Sequence, residues 1–239
     1  MTLSAPAASA RLIEVFPSIQ GEGIYLGRPH LFVRFWDCNL ACRYCDTPYK
    51  GLFRERDGEE LLAEVRERVG REGPFDAISL TGGEPLLWAD FLAGWLPRLR
   101  GLGPRIYLET NGTLPEALNR LGEWIDIVAM DLKPPSATGD RAVWAEHEAF
   151  LDAARRLNLE LFIKLIVTAG TDDGEVERAF RLVAERDPGI PVVLQPVTPH
   201  GPVKETPTSD RLLAWQGTGR RLLRDVRILP QVHKLLGVP

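Results

Sequence analysis

The chain has 239 residues, 44% of them hydrophobic, and a formal charge of −4. That apolar content is ample for a sizeable core, and the acidic balance argues against a nucleic-acid partner. No stretch approaches the ~20 apolar residues of a membrane span, and the opening MTLSAPAASARL is too polar for a signal peptide, so a soluble cytoplasmic protein is expected.

Taken in chain order, the first clear strand is HLFVRFW (His30–Trp36), rich in aromatic and branched residues. A helical stripe follows at Leu61, Leu62, Val65 and Val69, then a strand at Asp76–Leu80. Phe91, Leu92, Trp95, Leu96 and Leu99 make a second stripe before strands at Arg105–Thr110, Ile125–Leu132 and Leu161–Val167. Val176, Ala179, Phe180 and Val183 repeat the spacing of an amphipathic helix and lead to a strand at Pro191–Val197. RDVRILPQVHKLLG closes the chain as a last strand and a short helical turn. With no linker or repeat, this alternation predicts one parallel α/β domain over 1–239, an open sheet or a barrel-like arc.

Ligands of such folds sit at the C-terminal ends of the strands. Five polar motifs stand where that rule wants them: the cysteine loop, TGGEP, ETNG, DLK and QPVTPH each follow an apolar run. The paired glycines of TGGEP let backbone approach a ligand without an intervening Cβ, although the same residues suit a plain strand-to-helix turn. Glu109 and Asn111 of ETNG read as a polar pocket edge or as a helix cap.

All three cysteines, Cys38, Cys42 and Cys45, lie within DCNLACRYCDTPY. An odd, clustered set is a poor disulfide framework in a reducing compartment. A Cys3His zinc site would need His30, His147, His200 or His233 as its fourth ligand, none of them at close spacing. Free buried cysteines would not need to cluster. The favoured reading is an iron–sulfur cluster held by three thiolates with one iron left open.

The spacing Cys-x3-Cys-x2-Cys, with Tyr44 before the last cysteine, resembles the signature of the radical S-adenosylmethionine superfamily. The resemblance implies a partial, modified (β/α)6 TIM-like barrel and a 4Fe-4S cluster. S-adenosylmethionine would chelate the open iron and be cleaved to a 5′-deoxyadenosyl radical that takes hydrogen from the substrate. It also implies that Tyr44, Cys45, Asp46, Gly82, Gly83, Glu84, Glu109 and Asn111 contact S-adenosylmethionine. Asp131, Leu132 and Lys133, with Gln195, Pro196, Val197 and Thr198, would do so from later strands.

FPSIQGEGIYLGRPHLFVRFWDCNLACRYCDT, residues 16–47, closely resembles the opening of the 7-carboxy-7-deazaguanine synthase family, and the later motifs extend the match over nearly the whole chain. That family converts 6-carboxy-5,6,7,8-tetrahydropterin into 7-carboxy-7-deazaguanine with loss of ammonia, in queuosine and 7-deazapurine biosynthesis. By position it implies substrate contacts at Ile19, Gln20, Gly21, Arg34, Thr81 and Pro239, and a magnesium ion on the Thr47 hydroxyl. Without the resemblance, SIQGEG reads as a Gly-rich turn, Thr47 as a helix cap before Pro48, Arg34 as a structural ion pair and the last residues as a frayed end. A flavodoxin-type or other electron donor and a homodimer are further expectations. Trp36-Asp37 departs from the small residue, usually Gly, expected before the first cysteine. The competing readings are a glycyl-radical activating enzyme working on a protein partner, and a non-catalytic three-cysteine metal-binding module.

Overall fold

The seven expected strands all form, the last of them in RDVRILPQVHKLLG, joined by two more, β1 and β3: β1 (Ser9–Ile19), β2 (Pro29–Phe35), β3 (Arg54–Asp57), β4 (Ala77–Gly82), β5 (Arg105–Thr110), β6 (Ile127–Leu132), β7 (Glu160–Val167), β8 (Val192–Pro196) and β9 (Val226–Ile228). In this computed structural model, which describes residues 9–47 and 51–239, they make one sheet of order β3-β1-β2-β4-β5-β6-β7-β8-β9. β1 runs antiparallel to both its neighbours, and the pairs from β2 to β9 are parallel. The end strands β3 and β9 do not pair with each other. The fold is an α/β partial barrel. The first eight residues of the opening stretch, and Pro48 after the candidate cap Thr47, lie outside the described residues.

β1 was not anticipated, and β3 explains why it is possible. β3 covers only Ser9–Leu12 of β1, so Pro17 sits on the uncovered edge, where a missing N–H breaks no ladder bond.

The crossovers are α1 (Gly58–Glu72), α2 (Ala89–Arg100), α3 (Pro115–Leu121), α4 (Pro135–Thr138), α5 (Trp144–Arg156), α6 (Asp173–Ala184) and α7 (Ser209–Arg220), and α8 (Val232–Leu236) follows β9. Asp57 caps α1 by accepting from Glu59 N and Glu60 N, and Asp172 caps α6 through Glu175 N. Of the first predicted stripe, Leu61, Leu62 and Val65 are buried and Val69 is partly so; the other two stripes are buried throughout. No helix among the described residues is long and apolar enough to cross a membrane.

Strand parity divides the molecule. Leu31, Val33, Ile78, Leu80, Ile106, Leu108, Val128, Met130, Ile163 and Leu165 pack in the main core with the helices. Their alternates face the other way, as period-two side chains must. Near the start of the strands those alternates are mostly apolar: Ala77, Tyr107, Ile127, Ala129 and Phe162 form a separate cluster, with Ile24 and Tyr25 packed on it. Further along they turn polar, with Glu109, Asp131, Lys164 and Gln195.

The 20–28 loop between β1 and β2 closes the strand-start end of this inner face. Gln20 N donates to Arg28 O at 2.7 Å and Gly27 N to Gln20 O at 2.8 Å, which pinches the loop at its neck. Inside it, the Tyr25 ring meets those of Tyr107 and Phe162 at 5.8 and 6.3 Å. Gly23 has a φ of 68°, and a Cβ there would lie 2.4 Å from the Phe162 ring. Gly23→Ala therefore meets both a left-handed backbone and an aromatic wall, and is expected to cost about 2 kcal/mol or more. Urea unfolding checks it: a midpoint equal to that of the parent would mean that the loop is not locked in this way.

Candidate active site

The cysteine loop leaves the end of β2 and the TGGEP loop the end of β4, so the two meet side by side. Gly83 N donates to Phe35 O at 3.1 Å and Glu84 N to Asp37 O at 2.8 Å. A Cβ on Gly82 would lie 2.1 Å from Phe35 O, and one on Gly83 would lie 1.8 Å from Asp37 O. The paired glycines thus serve a backbone-to-backbone contact that positions the cysteine loop, a different reason from the approach to a ligand read from sequence. Asp37 has a φ of 79°, which is why a glycine is the natural residue there. Its own Oδ1 accepts from Cys38 N at 2.8 Å, the local bond by which Asp tolerates this conformation.

Cys38, Cys42 and Cys45 line one cleft of about 930 Å3. Burial pushes the Cys38 thiol up to about 11 and raises Cys42 also, so thiolates here need a compensating cation. No group of three or more His, Cys, Asp or Glu among the described residues is placed to hold a single ion. Nor does any of the four histidines line this cleft. His30 is buried against Ser79 Oγ at 2.7 Å, His147 bonds Asn111 O at 3.0 Å, His200 bridges to Val203, and His233 lies on α8.

The same cleft carries Tyr44, Asp46, Thr47, Gly82, Gly83, Glu109, Asn111, Asp131, Lys133, Gln195 and Val197. Two of its buried polar atoms, the Tyr44 hydroxyl and Gln195 Oε1, have no protein partner, as expected of a wall built for a polar ligand. Four candidates do not line it. Leu132 has the opposite strand parity to Asp131 and packs in the helix-side core. Pro196 stands between Gln195 and Val197, and Thr198 N bonds Gln231 Oε1 at 3.3 Å. Glu84 is fully buried, accepting from Asn111 N at 2.7 Å, Thr110 Oγ1 at 2.8 Å and Leu86 N at 3.0 Å. Burial raises its carboxyl to about 7 against the pull of those donors.

A second cleft of about 780 Å3 adjoins the first and is lined by all six candidate substrate residues, Ile19, Gln20, Gly21, Arg34, Thr81 and Pro239. Phe16 and Phe32 line it as a stacked pair, with ring centroids 5.1 Å apart and planes 11° apart. Arg34 spans both of its readings: it pairs with Glu14 at 2.9 Å, lies over the Phe16 ring at 4.9 Å and lines the cleft. Pro239 O accepts from the Ser18 hydroxyl at 2.9 Å. Glu22, Asp46, Thr47, Thr81, Glu109 and Gln231 line both clefts and make the wall between them.

That wall is stiffened by bonds of its members to each other and to residues lining one cleft or the other. Glu109 accepts from Gln20 Nε2 and Thr81 Oγ1, each at 2.8 Å. Lys164 Nζ lies 2.7 Å from Glu22 Oε2 and 3.1 Å from Asp131 Oδ1, and Lys133 Nζ lies 2.8 Å from Asp131 Oδ2. Burial opposes the charge on Glu22, but the Lys164 ammonium and donors from Gln231 and Gln195 hold its carboxyl down at about 2. Burial likewise opposes the Lys164 charge, and Asp131 and Glu22 more than offset it, raising its pKa.

Glu22, Lys164 and Gln231 were not picked out from sequence. A signal was present for Lys164, the sole charge in the apolar run LFIKLIV. A buried lysine that is not aimed at a counter-charge is too costly to keep.

The radical SAM superfamily profile matches residues 37–183, more than half of the chain. A 7-carboxy-7-deazaguanine synthase of Geobacter sulfurreducens is 40% identical, with 95% of this chain and 97% of the relative covered. That of Methanothermobacter thermautotrophicus is 33% identical over 96% and 98%. The crystal structure of QueE from Escherichia coli superposes with a TM-score of 0.64 at 22% identity, covering 96% of both chains. A radical SAM methyltransferase from Sphaerobacter thermophilus gives 0.62 at 18% identity, over 85% of this chain and 66% of that one. These two structures share the fold. With three cysteines lining a cleft at the strand ends, the chain is a member of the radical SAM superfamily, whose signature implies a 4Fe-4S cluster and S-adenosylmethionine. Within that superfamily it belongs to the 7-carboxy-7-deazaguanine synthase family.

Lys164→Met keeps the length of the side chain but leaves Glu22 and Asp131 buried without their shared cation, at a cost of about 3–5 kcal/mol. The acid limb of stability should change too. Glu22 is held below its ordinary value of 4.5, so it contributes stability above that pH, lost as pH falls towards about 2. Guanidinium unfolding of the metal-free protein from pH 7 to 3 should show this loss in the parent and a shallower slope in Lys164→Met. Parallel pH profiles would overturn the assignment.

Proposed function

We propose that this chain is itself a 7-carboxy-7-deazaguanine synthase. It would rearrange 6-carboxy-5,6,7,8-tetrahydropterin to 7-carboxy-7-deazaguanine with loss of ammonia, in queuosine and related 7-deazapurine biosynthesis. The observation that carries the reading is the pair of clefts sharing one wall, one with three cysteines and the other with an arginine over stacked aromatic rings. A radical made in one chamber must act on a substrate held in the next, within contact distance and away from water.

In this reading Cys38, Cys42 and Cys45 hold the 4Fe-4S cluster and the polar residues of the first cleft hold S-adenosylmethionine. Bound together and reduced, these two supply a 5′-deoxyadenosyl radical. The chain supplies placement. Gln195 offers its free Oε1 to a ligand donor, and Asp131 and Glu109 offer carboxylate oxygens to hydroxyl groups. In the second cleft Phe16 and Phe32 form an apolar surface for a flat ring, and Arg34 faces a carboxylate with a planar donor fork. Ile19, Gln20, Gly21, Thr81 and Pro239 complete the enclosure. Gln20 works through position: its side chain is committed to Glu109 Oε1 at 2.8 Å and Glu22 N at 3.0 Å.

Magnesium is proposed at Thr47, on the dividing wall, where a hard cation can take a hydroxyl, a substrate carboxylate and waters. Its neighbour Asp46 is paired with Lys234 of α8 at 2.7 Å. A flavodoxin-type or other electron donor, a homodimer, a cytoplasmic location and a single domain over 1–239 complete the proposal.

The deciding experiment is anaerobic cluster reconstitution followed by turnover with the carboxylated tetrahydropterin, S-adenosylmethionine and a reductant. The deazaguanine should form with all three present and vanish in Cys38→Ala, Cys42→Ala or Cys45→Ala. Cleavage of S-adenosylmethionine without any deazaguanine would sink the substrate assignment.

Thr47→Ala removes a hydroxyl and no charge, so the cluster and S-adenosylmethionine binding should persist. Product formation should fall about tenfold or more, an apparent loss of about 1.4 kcal/mol, and lose part of its magnesium dependence. A magnesium titration superimposable on that of the parent would rule Thr47 out as a ligand.

A further inference from the structure

Asn111 faces the cysteine cleft, yet its side-chain polar atoms already have protein partners. Its Oδ1 accepts from Thr113 N at 3.1 Å and from Thr113 Oγ1 at 2.6 Å. A backbone N–H can only donate, so the orientation of the amide is determined: oxygen towards Thr113, nitrogen towards the cysteine loop. There Nδ2 donates to Asn39 Oδ1 at 2.8 Å and lies 3.8 Å from Cys38 Sγ, within reach of a hydrogen bond to sulfur.

The main chain of the residue is pinned as firmly. Asn111 N donates to the buried Glu84 carboxylate at 2.7 Å, and Asn111 O accepts from His147 Nε2 at 3.0 Å. His147 is wholly buried, and burial lowers its pKa to about 4, so it is a neutral imidazole whose Nε2 carries the hydrogen. An asparagine fixed at both backbone atoms and both side-chain atoms has no freedom to turn towards an incoming ligand. One of its amide hydrogens is left to the sulfur of the first cysteine.

The geometry points to Asn111 as a tuning residue for the cluster: its amide donates to the Cys38 thiolate and raises the reduction potential of the bound 4Fe-4S group. A donor at a ligating sulfur draws off electron density and stabilises the reduced, more negative state. The inference rests on the cluster proposed above and assigns Asn111 a role on the metal side of the cleft, beyond contact with S-adenosylmethionine.

The test is an EPR-monitored redox titration of the reconstituted protein without S-adenosylmethionine, comparing the parent, Asn111→Ala and Asn39→Ala. Asn39→Ala breaks the same loop-to-loop amide bond but keeps the Asn111 donor, so it reports what loosening alone does. The midpoint should move to lower potential in Asn111→Ala and stay within error of the parent in Asn39→Ala. Unchanged midpoints, or equal shifts in both variants, would overturn the inference. The parent labelled with 15N in the asparagine side-chain amide alone gives a second readout, in which pulsed EPR of the reduced cluster should detect a weak nitrogen coupling. That coupling should persist in Asn39→Ala and disappear in Asn111→Ala. If Asn111→Ala fails to hold a cluster, the labelled parent decides, and absence of the coupling there rejects the bond. A parent that binds no iron fails differently, by removing the cluster itself.

Discussion

Burying the ammonium of Lys164 is the constraint around which the inner face is arranged. Fully desolvated, that charge would be driven to give up its proton, and the flanking carboxylates of Glu22 and Asp131 are what keep it charged. The two partners come from distant parts of the chain, Glu22 from the loop after β1 and Asp131 from the end of β6. A single side chain on β7 therefore ties the loop that closes one end of the barrel to the strand that bears the next carboxylate. The row continues to Lys133, so two positive and two negative charges alternate along the inner face and cancel. Such a row costs little against an apolar alternative only while every member is present.

The same row explains how one sheet builds two chambers. Strand alternation sends one set of side chains into the helices and the other inward, and the inward set changes from apolar to polar towards the strand ends. The Gly-rich loop carries Gln20 and Glu22 up to meet Glu109 and Lys164, and the partition between the clefts is made of these contacts. Thr81 and Gln231 extend it, and Asp46 and Thr47 bring the end of the cysteine loop onto it. The placement of the metal-binding loop and of the second cleft are thus one structural problem with one solution.

Much of this was legible in the sequence, for physical reasons that differ from place to place. The cysteines sit on one short loop, so their convergence needs no knowledge of the fold. The motifs at the strand ends could be placed because buried parallel strands advertise themselves as apolar runs. β1 could not be read, since the competence of Pro17 to sit in a strand depends on how far β3 extends. With β1 hidden, the Arg34–Glu14 pair was hidden too. Leu132 shows the opposite failure: a motif treated as a block of consecutive residues ignores that neighbours on a strand face opposite ways. Glu84 is a motif residue whose carboxylate is spent on holding the ends of β4 and β5 together.

The contact of Gly83 with the peptide oxygen of Asp37 has a consequence for how such a protein can change over time. Most steric constraints in a core are negotiable, because a smaller neighbour can make room for a larger newcomer. Here the obstacle is main chain, which every amino acid carries alike. No exchange at position 37 or beside it can create the missing space, so the requirement at position 83 has no compensating partner. Among related sequences it would leave an invariant column and no covariation, a coupling invisible to methods that infer contacts from correlated change.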